Sequence, residues 1–256
     1  MNARLTVLGS GTSMGVPTIG CACAVCQSSD PRDRRTRPSV LLEYNRAVVL
    51  IDTTPDFREQ AIREKVRQLD AVLYTHAHAD HILGLDDLRP LSFRRAEKIP
   101  LYARPEAGEL IRHTFRYIFD SDYKFGGLAR VELRAIDGPF DLLGARIVPI
   151  KVIHGDTEIV GFRFGSAAYL TDFSQIPEES FELLQGLDVL FLDALRHEPH
   201  PTHSTVDNSL RIVERLKPRR AFFTHICHDL PHEATNATLP PQVRLSYDGM
   251  QLEFEI

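Results

Sequence analysis

The segment Thr75-His76-Ala77-His78-Ala79-Asp80-His81 places four metal-ligand side chains within six residues, straight after the apolar run Val72-Leu73-Tyr74. A strand that ends in such a loop can turn imidazoles and a carboxylate toward one point, whereas side chains within a strand alternate between faces. Neutral imidazole nitrogens and carboxylate oxygens suit zinc, manganese and iron, and two His followed by an Asp-His pair can serve two ions sharing a site. More Asp and His stand at later strand ends. Residues 147–152 lead to His154, 167–170 to Asp172, 189–192 to Asp193 and 221–223 to His225. Two ions so held would generate hydroxide near neutral pH and neutralise a phosphoryl oxygen, which in-line attack on a phosphodiester requires. Residues 196–204 add His197, His200 and His203, any of which could protonate a leaving group. His203 is the first choice because a helix starting near Thr205 follows at once, and a helix N-terminus favours a bound phosphate. His197 and His200 read equally well as solvated loop residues, and Asp193 reads more readily as a cap or turn former.

A second cluster, Cys21-Ala22-Cys23-Ala24-Val25-Cys26, holds three of the four Cys, and spacing this close argues for metal binding over a disulfide framework. Cys227, between His225 and His228, reads as packing. Arg89, Arg94 and Arg95 follow the His loop and could recognise a substrate phosphate, although an exposed helix face explains them as well. The Arg32-Asp33-Arg34-Arg35-Thr36-Arg37 run is interleaved with acid and lacks aromatic neighbours, so it reads as a solvated or Asp-paired loop. Gly9, Gly11 and Gly15 do not make a dinucleotide turn, because Pro17, Gly20 and the Cys cluster follow them where a helix would have to open. They are expected to let backbone pass close to the metal edge. His113 and His232 gain no role.

The elements that must position these groups alternate strands and helices. Strands are expected over 4–8, 39–42 and 47–51, the last two forming a hairpin around Tyr44-Asn45. Helices are expected over 56–66, 106–119, 177–185 and 205–216. A chain of 256 residues with 43% hydrophobic and 25% charged content can bury a full core. Without a low-complexity linker or close repeat, residues 1–256 are expected to form a single domain with two similar halves. The formal charge of −5 gives no general reason to bind nucleic acid or an anionic membrane. No signal peptide or membrane-length run is visible, so a cytoplasmic protein is expected.

The run His76-x-His78-x-Asp80-His81 with His154, Asp172 and His225 resembles the metallo-β-lactamase superfamily. The resemblance implies an α/β fold, a four-layer αβ/βα sandwich of two facing mixed sheets with outer helices and a metal site along one edge. It implies His76, His78 and His154 on a first ion, Asp80, His81 and His225 on a second, and Asp172 between them. Zinc or manganese is expected at both, with Asp80 also counted as catalytic. Asp52 resembles the aspartate that braces the His loop. A narrower resemblance covers nearly the whole chain. The run Gly9-Ser10-Gly11-Thr12-Ser13-x-Gly15-Val16-Pro17, the Cys cluster and Thr224-His225-Ile226-x-His228 are similar to the PhnP-like family of phosphonate-pathway cyclic phosphodiesterases, which open phosphoribosyl cyclic phosphate. That likeness implies a structural zinc on Cys21, Cys23, Cys26 and His228, and a catalytic role for His203. Much of the middle, including 117–128, departs from the family, which weakens the substrate assignment more than the reaction type.

The expected activity is a dinuclear metal-dependent phosphodiesterase acting on a small cyclic or nucleotide-like phosphodiester. A transfer-RNA 3′-end endonuclease and a thioester or lactone hydrolase are the enzymatic alternatives, and a metal-binding module that keeps only the scaffold is the non-enzymatic one. The spacing from His154 to Asp172 is too short for an RNA-gripping arm there. The partner expected is a small phosphodiester substrate, with no membrane or nucleic acid; a homodimer is compatible with the chain.

Overall fold

Near-continuous apolar runs such as Ala47–Ile51 and Val189–Asp193 must be covered on both faces, and the architecture follows from that demand. The computed structural model describes residues 1–120 and 127–256. In chain order the strands are β1 (Asn2–Gly9), β2 (Ser39–Tyr44), β3 (Ala47–Ile51), β4 (Ala71–Leu73), β5 (Ile99–Ala103), β6 (Val131–Ala135) and β7 (Phe140–Leu142). They continue with β8 (Ala145–His154), β9 (Thr157–Phe164), β10 (Ala167–Leu170), β11 (Val189–Asp193), β12 (Arg220–Thr224), β13 (Val243–Leu245) and β14 (Gln251–Glu255). One sheet runs β14-β1-β2-β3-β4-β5-β6 and the other β13-β12-β11-β10-β9-β8-β7. Each is mixed: β3 to β6 and β10 to β13 are parallel, and the remaining pairs antiparallel.

The sheets face each other across a core that joins Leu5, Leu42, Val49 and Leu73 of one to Ile147, Phe162, Tyr169 and Phe191 of the other. Leu50 and Val72 on the outer face of the first sheet pack with Phe57, Ile82, Leu85 and Ile111 from its helices. Leu190, Leu192 and Phe223 of the second pack with Phe181, Val206, Val213 and Leu216. This is the αβ/βα sandwich that the resemblance implied.

Strand and helix ends follow local chemistry. The β2–β3 hairpin turns at Asn45 and Arg46, both with positive φ (45° and 68°), as a two-residue loop of matching twist requires. The helix expected over 205–216 is Val206–Leu216; the Thr205 hydroxyl accepts from the Asn208 N–H at 3.1 Å, and Lys217 ends it in the left-handed region. The helix expected over 106–119 is two, Pro105–Thr114 and Arg116–Phe119, because the backbone leaves helical geometry at Phe115 as that ring turns into the core. The helices over 56–66 and 177–185 contract to Phe57–Arg63 and Glu178–Glu182. Of the divergent 117–128 segment, residues 121–126 lie outside the described ones.

The arginine-dense loop is Asp-paired, with one member the sequence did not mark. Arg32 meets Asp30 and Glu233, and Arg37 meets Asp56, whereas Arg35 is 1% exposed. Its guanidinium pairs with Asp33 at 3.0 Å and donates to the carbonyls of Cys227 at 2.8 Å and Leu230 at 2.6 Å. Gly9 and Gly11 make room for this loop. A β-carbon on Gly9 would collide with the Arg37 carbonyl, and one on Gly11 would lie 2.8 Å from the Arg35 carbonyl. Replacing Arg35 by Ala strands the buried Asp33 and two carbonyls, so Arg35→Ala is expected to lower unfolding free energy by about 3–5 kcal/mol in a denaturant titration.

Candidate metal centre

Parallel pairing brings strand ends to one edge of the sandwich. Asp52 follows β3, the His loop follows β4, His154 closes β8, Asp172 lies just beyond β10, Asp193 closes β11 and His225 follows β12. Asp52, Asp172 and His225 turn the chain with positive φ (64°, 57° and 58°), a region that costs about 1–3 kcal/mol yet is visited by Asp and His more readily than by most types. The turn swings each side chain off its strand and over the edge.

Four overlapping donor groups form there among the described residues, two of them without His203. Ligand atoms of His76, His78 and His154 lie within 4.8 Å of one another, as do those of Asp80, His81, Asp172 and His225. Nε2 of His81 sits 3.3 Å from Asp80 and 3.4 Å from Asp172; Nε2 of His225 sits 3.1 Å from Asp172 and 3.9 Å from Asp80. Despite these separations, Nε2 of His76, His81 and His225 are buried with no hydrogen bond among the described residues. Donor atoms that crowd together without pointing at one another are arranged around a common centre. The spacings match oxygens and nitrogens sharing a cation about 2.0–2.2 Å away, so the donor set fits divalent metal.

Electrostatics agree. Burial and the neighbouring His81 hold His76 well below the usual imidazole range, and burial lowers His154, so both are neutral donors. Burial alone would lower His225 too, but Asp172 and Asp80 push it up to about 10. His81 rises for the same reason, while Asp80 and Asp172 are driven below the carboxylate range by the imidazoles despite their burial. This corner calls for positive charge, which either protons or cations can provide.

Second partners fix the tautomers. Asp52, wholly buried, accepts from the Thr75 N–H at 2.9 Å, the Thr75 hydroxyl at 2.8 Å and His81 Nδ1 at 2.8 Å. Because the Thr75 hydroxyl donates to Asp52, it accepts from His76 Nδ1 at 3.0 Å, which leaves His76 Nε2 a bare lone pair. His154 Nδ1 donates to the Thr202 carbonyl at 2.9 Å. Neither Thr75 nor Thr202 stood out in the sequence; only the position of Thr75 ahead of the His cluster hinted at it.

His203 stands beside the same group, its ring stacked on His225 with centroids 4.5 Å apart and 4.8 Å from that of His154. Its Nδ1 lies 2.8 Å from Asp193, a buried carboxylate that also accepts from the Phe173 N–H at 3.1 Å. Asp193 is therefore more than the turn former that its strand-end position suggested. His113 and His197 are exposed and enter neither group.

At the Cys cluster, His228 Nδ1 lies 3.2, 3.5 and 3.4 Å from the sulfurs of Cys21, Cys23 and Cys26. A tetrahedron with zinc–nitrogen about 2.0 Å and zinc–sulfur about 2.3 Å spaces nitrogen and sulfur roughly 3.5 Å apart, so this set also fits. Backbone N–H of Cys26 points at the Cys23 sulfur and lowers its thiol to about 7, while burial pushes the Cys26 thiol up to about 11. The glycine turn reaches this edge as expected, through a bridge from Gly11 to Ile226 beside His225. Arg95 binds Asp70 and the Leu69 carbonyl at the end of β4 opposite the His loop, and Arg89 pairs with Asp86 at 2.9 Å.

Residues 47–226 match the family described as Beta-lactamase superfamily domain, and the chain belongs to that superfamily of metal-dependent hydrolases. A crystal structure of a new diphosphatase from the PhnP family is 60% identical, covers 99% of this chain and 98% of its own, and superposes with a TM-score of 0.94. Within the superfamily the chain is thus PhnP-like. It is also 36% identical over 253 residues, 97% of this chain and 51% of the other protein, to an octanoyltransferase of Porphyromonas gingivalis. A ribonuclease Z of Bradyrhizobium diazoefficiens is 27% identical over 150 residues, 55% of this chain and 48% of that protein. The chain spans about half the length of the curated relatives it matches.

Two outcomes are expected of this geometry. Asp52→Asn puts an amide donor in place of one carboxylate oxygen, so the bonds from His81 Nδ1 and Thr75 cannot all be kept and zinc affinity at the edge should fall about 10–100-fold in a chelator competition. Because His225, raised to about 10, carries a proton that a cation displaces, zinc binding should release protons and tighten as pH rises from 6 to 8. Calorimetry in buffers of different ionisation enthalpy reads that release directly.

Proposed function

We propose that this chain is a dinuclear metal-dependent phosphodiesterase that cleaves a small cyclic or nucleotide-like phosphodiester, phosphoribosyl cyclic phosphate being the specific form carried over from the PhnP-like resemblance. The observation that supports it most is the pair of donor groups, with Asp172 in the second and also within reach of His154 and His203. His76, His78 and His154 would hold one zinc or manganese ion, Asp80, His81 and His225 the other, and Asp172 both; Cys21, Cys23, Cys26 and His228 would hold a structural zinc. Two bound cations would supply Lewis acidity for activating water and would neutralise charge on the phosphoryl oxygens.

The chain's own residues do the rest. Asp193 accepts from His203 Nδ1–H, so Nε2 donates only while the ring is an imidazolium; it hands that proton to the departing oxygen and the ring is left neutral. The buried carboxylate steadies the ring while it is cationic and returns it to one orientation afterwards. Asp52 and Thr75 keep the His loop from swinging when charge at the edge changes.

The diphosphatase relative acts on phosphoryl linkages, which agrees with this chemistry. Octanoyl transfer is the name of a protein about twice as long, of which the match covers 51%. For an endonuclease, the residues between His154 and Asp172 are taken up by β9 and β10, which leaves no length for a gripping arm at that place. Among the described residues no helix is long and apolar enough to cross a membrane, and a water-soluble substrate met in the cytoplasm completes the reading.

Zinc- or manganese-loaded protein should hydrolyse bis-p-nitrophenyl phosphate, a ribosyl cyclic phosphate or ADP-ribose, and lose that activity on chelation and in His76→Ala. Metal-replete protein inactive on all three, yet active on acyl-glutathione, a lactone or precursor transfer RNA, would replace this reading. His203→Ala should lower kcat by about 10²–10⁴-fold with metal content unchanged by elemental analysis.

A further inference from the structure

A recess of about 380 Å³ opens between the helix Phe57–Arg63 and the helical turn Arg89–Ser92. None of its lining residues belongs to a candidate metal group. Its shape follows from the way the first helix ends. The Lys65 N–H donates to the Ile62 carbonyl at 3.2 Å and the Val66 N–H to the Ala61 carbonyl at 2.8 Å, with Lys65 in the left-handed region at φ 57°. That paired closure folds Val66 back over Ala61. Glycine takes such a φ at least cost, yet a lysine stands here and lines the recess beside Arg67. Phe57 and Leu91, both buried, join Ala61 and Val66 in an apolar floor continuous with the outer core of the first sheet.

The rim is cationic. Arg58, Lys65, Arg67 and Arg94 line the recess, against one acid, Asp87. Other arginines close by are engaged: Arg37 pairs with Asp56, Arg63 with Glu64 and Asp248, Arg89 with Asp86 and Arg95 with Asp70. Among the described residues the four rim cations make no ion pair with any of these carboxylates. Like charges gathered around a space this small favour an anion among them. An apolar floor beneath such a rim complements a molecule with an apolar body and an anionic end. Eleven residues line the recess, against about 20–30 a side for a protein interface, so its size suits a small molecule. A flexible chain would lose rotational freedom there, whereas a planar ring loses little and offers its face to guanidinium groups. A carboxylate matches the planar fork of arginine at two points.

We propose that this recess is a binding site for an aromatic carboxylate, its ring on the floor made by Phe57, Ala61, Val66 and Leu91 and its carboxylate held by the arginines of the rim. The site stands apart from the phosphodiesterase reading and does not depend on it.

The test is calorimetry of zinc-loaded protein with 2-naphthoate, which should bind saturably with Kd below about 1 mM. Naphthalene-2-carboxamide keeps the ring without the charge and acetate keeps the charge without the ring; each should bind about tenfold more weakly or less. Arg58→Gln and Arg94→Gln, both at exposed positions, should each weaken naphthoate about threefold or more, whereas Arg4→Gln, an exposed cation elsewhere, should leave it unchanged. Ala61→Trp fills the floor and should abolish binding, with thermal unfolding reporting that the variant is folded. Binding that survives both rim substitutions unchanged would put the carboxylate at the metal edge or on the general surface and overturn the assignment. Equal affinity for naphthoate and either comparison compound, or no saturable binding, would overturn it too. The two rim variants keep that outcome readable even where Ala61→Trp does not fold.

Discussion

Two buried carboxylates, Asp80 and Asp172, set the demand that the surrounding structure has to meet. Negative charge removed from water is strongly unfavourable unless positive charge or hydrogen-bond donors face it. Here the facing groups are the imidazoles of His81 and His225, at separations of 3.1–3.9 Å and in directions that make poor hydrogen bonds. The corner is thus prepared for cations. It also lies between the halves of the molecule: the His loop comes from the first sheet, and His154, Asp172 and His225 from the second. A cation there would fasten one sheet to the other as well as serve chemistry.

Rigidity at this edge comes from a layer behind the donors. Asp52 and Thr75 hold the first-sheet imidazoles, the Thr202 carbonyl holds His154, and Asp193 holds His203. Three strand-end residues in the left-handed region keep their side chains over the edge, and the packing of the sandwich supports that strain. Behind His225 the chain is held twice more, by the Cys cluster against His228 and by Arg35 on the carbonyls of Cys227 and Leu230.

Much of the donor set was legible because its parts are local. His76, His78, Asp80 and His81 are neighbours in sequence, and His154, Asp172 and His225 each follow an apolar run that could only be a strand. The three Cys announced themselves in the same way. What the sequence hid is what depends on approach across space. Thr75, Thr202 and the pairing of Asp193 with His203 act through single hydrogen bonds between distant segments, and no local pattern marks such a bond. Arg35 looked like one charge among several because its burial is decided by the 227–230 loop. Strands β5, β6, β7, β9, β13 and β14 escaped because they are short or interrupted by polar residues on a half-exposed face, as in Val131–Ala135 and Gln251–Glu255. The single long helix expected near Phe115 failed because burial of one aromatic ring overrode helical spacing.

The first sheet includes β14, which pairs antiparallel with β1 from Asn2↔Glu255 to Thr6↔Gln251. Residues far apart in sequence must meet before that sheet has its full set of strands, and such distant contacts are slow to form. Until β14 arrives, one flank of β1 is an uncovered edge, so exposure to aggregation is greatest between the making of β1 and its pairing with β14.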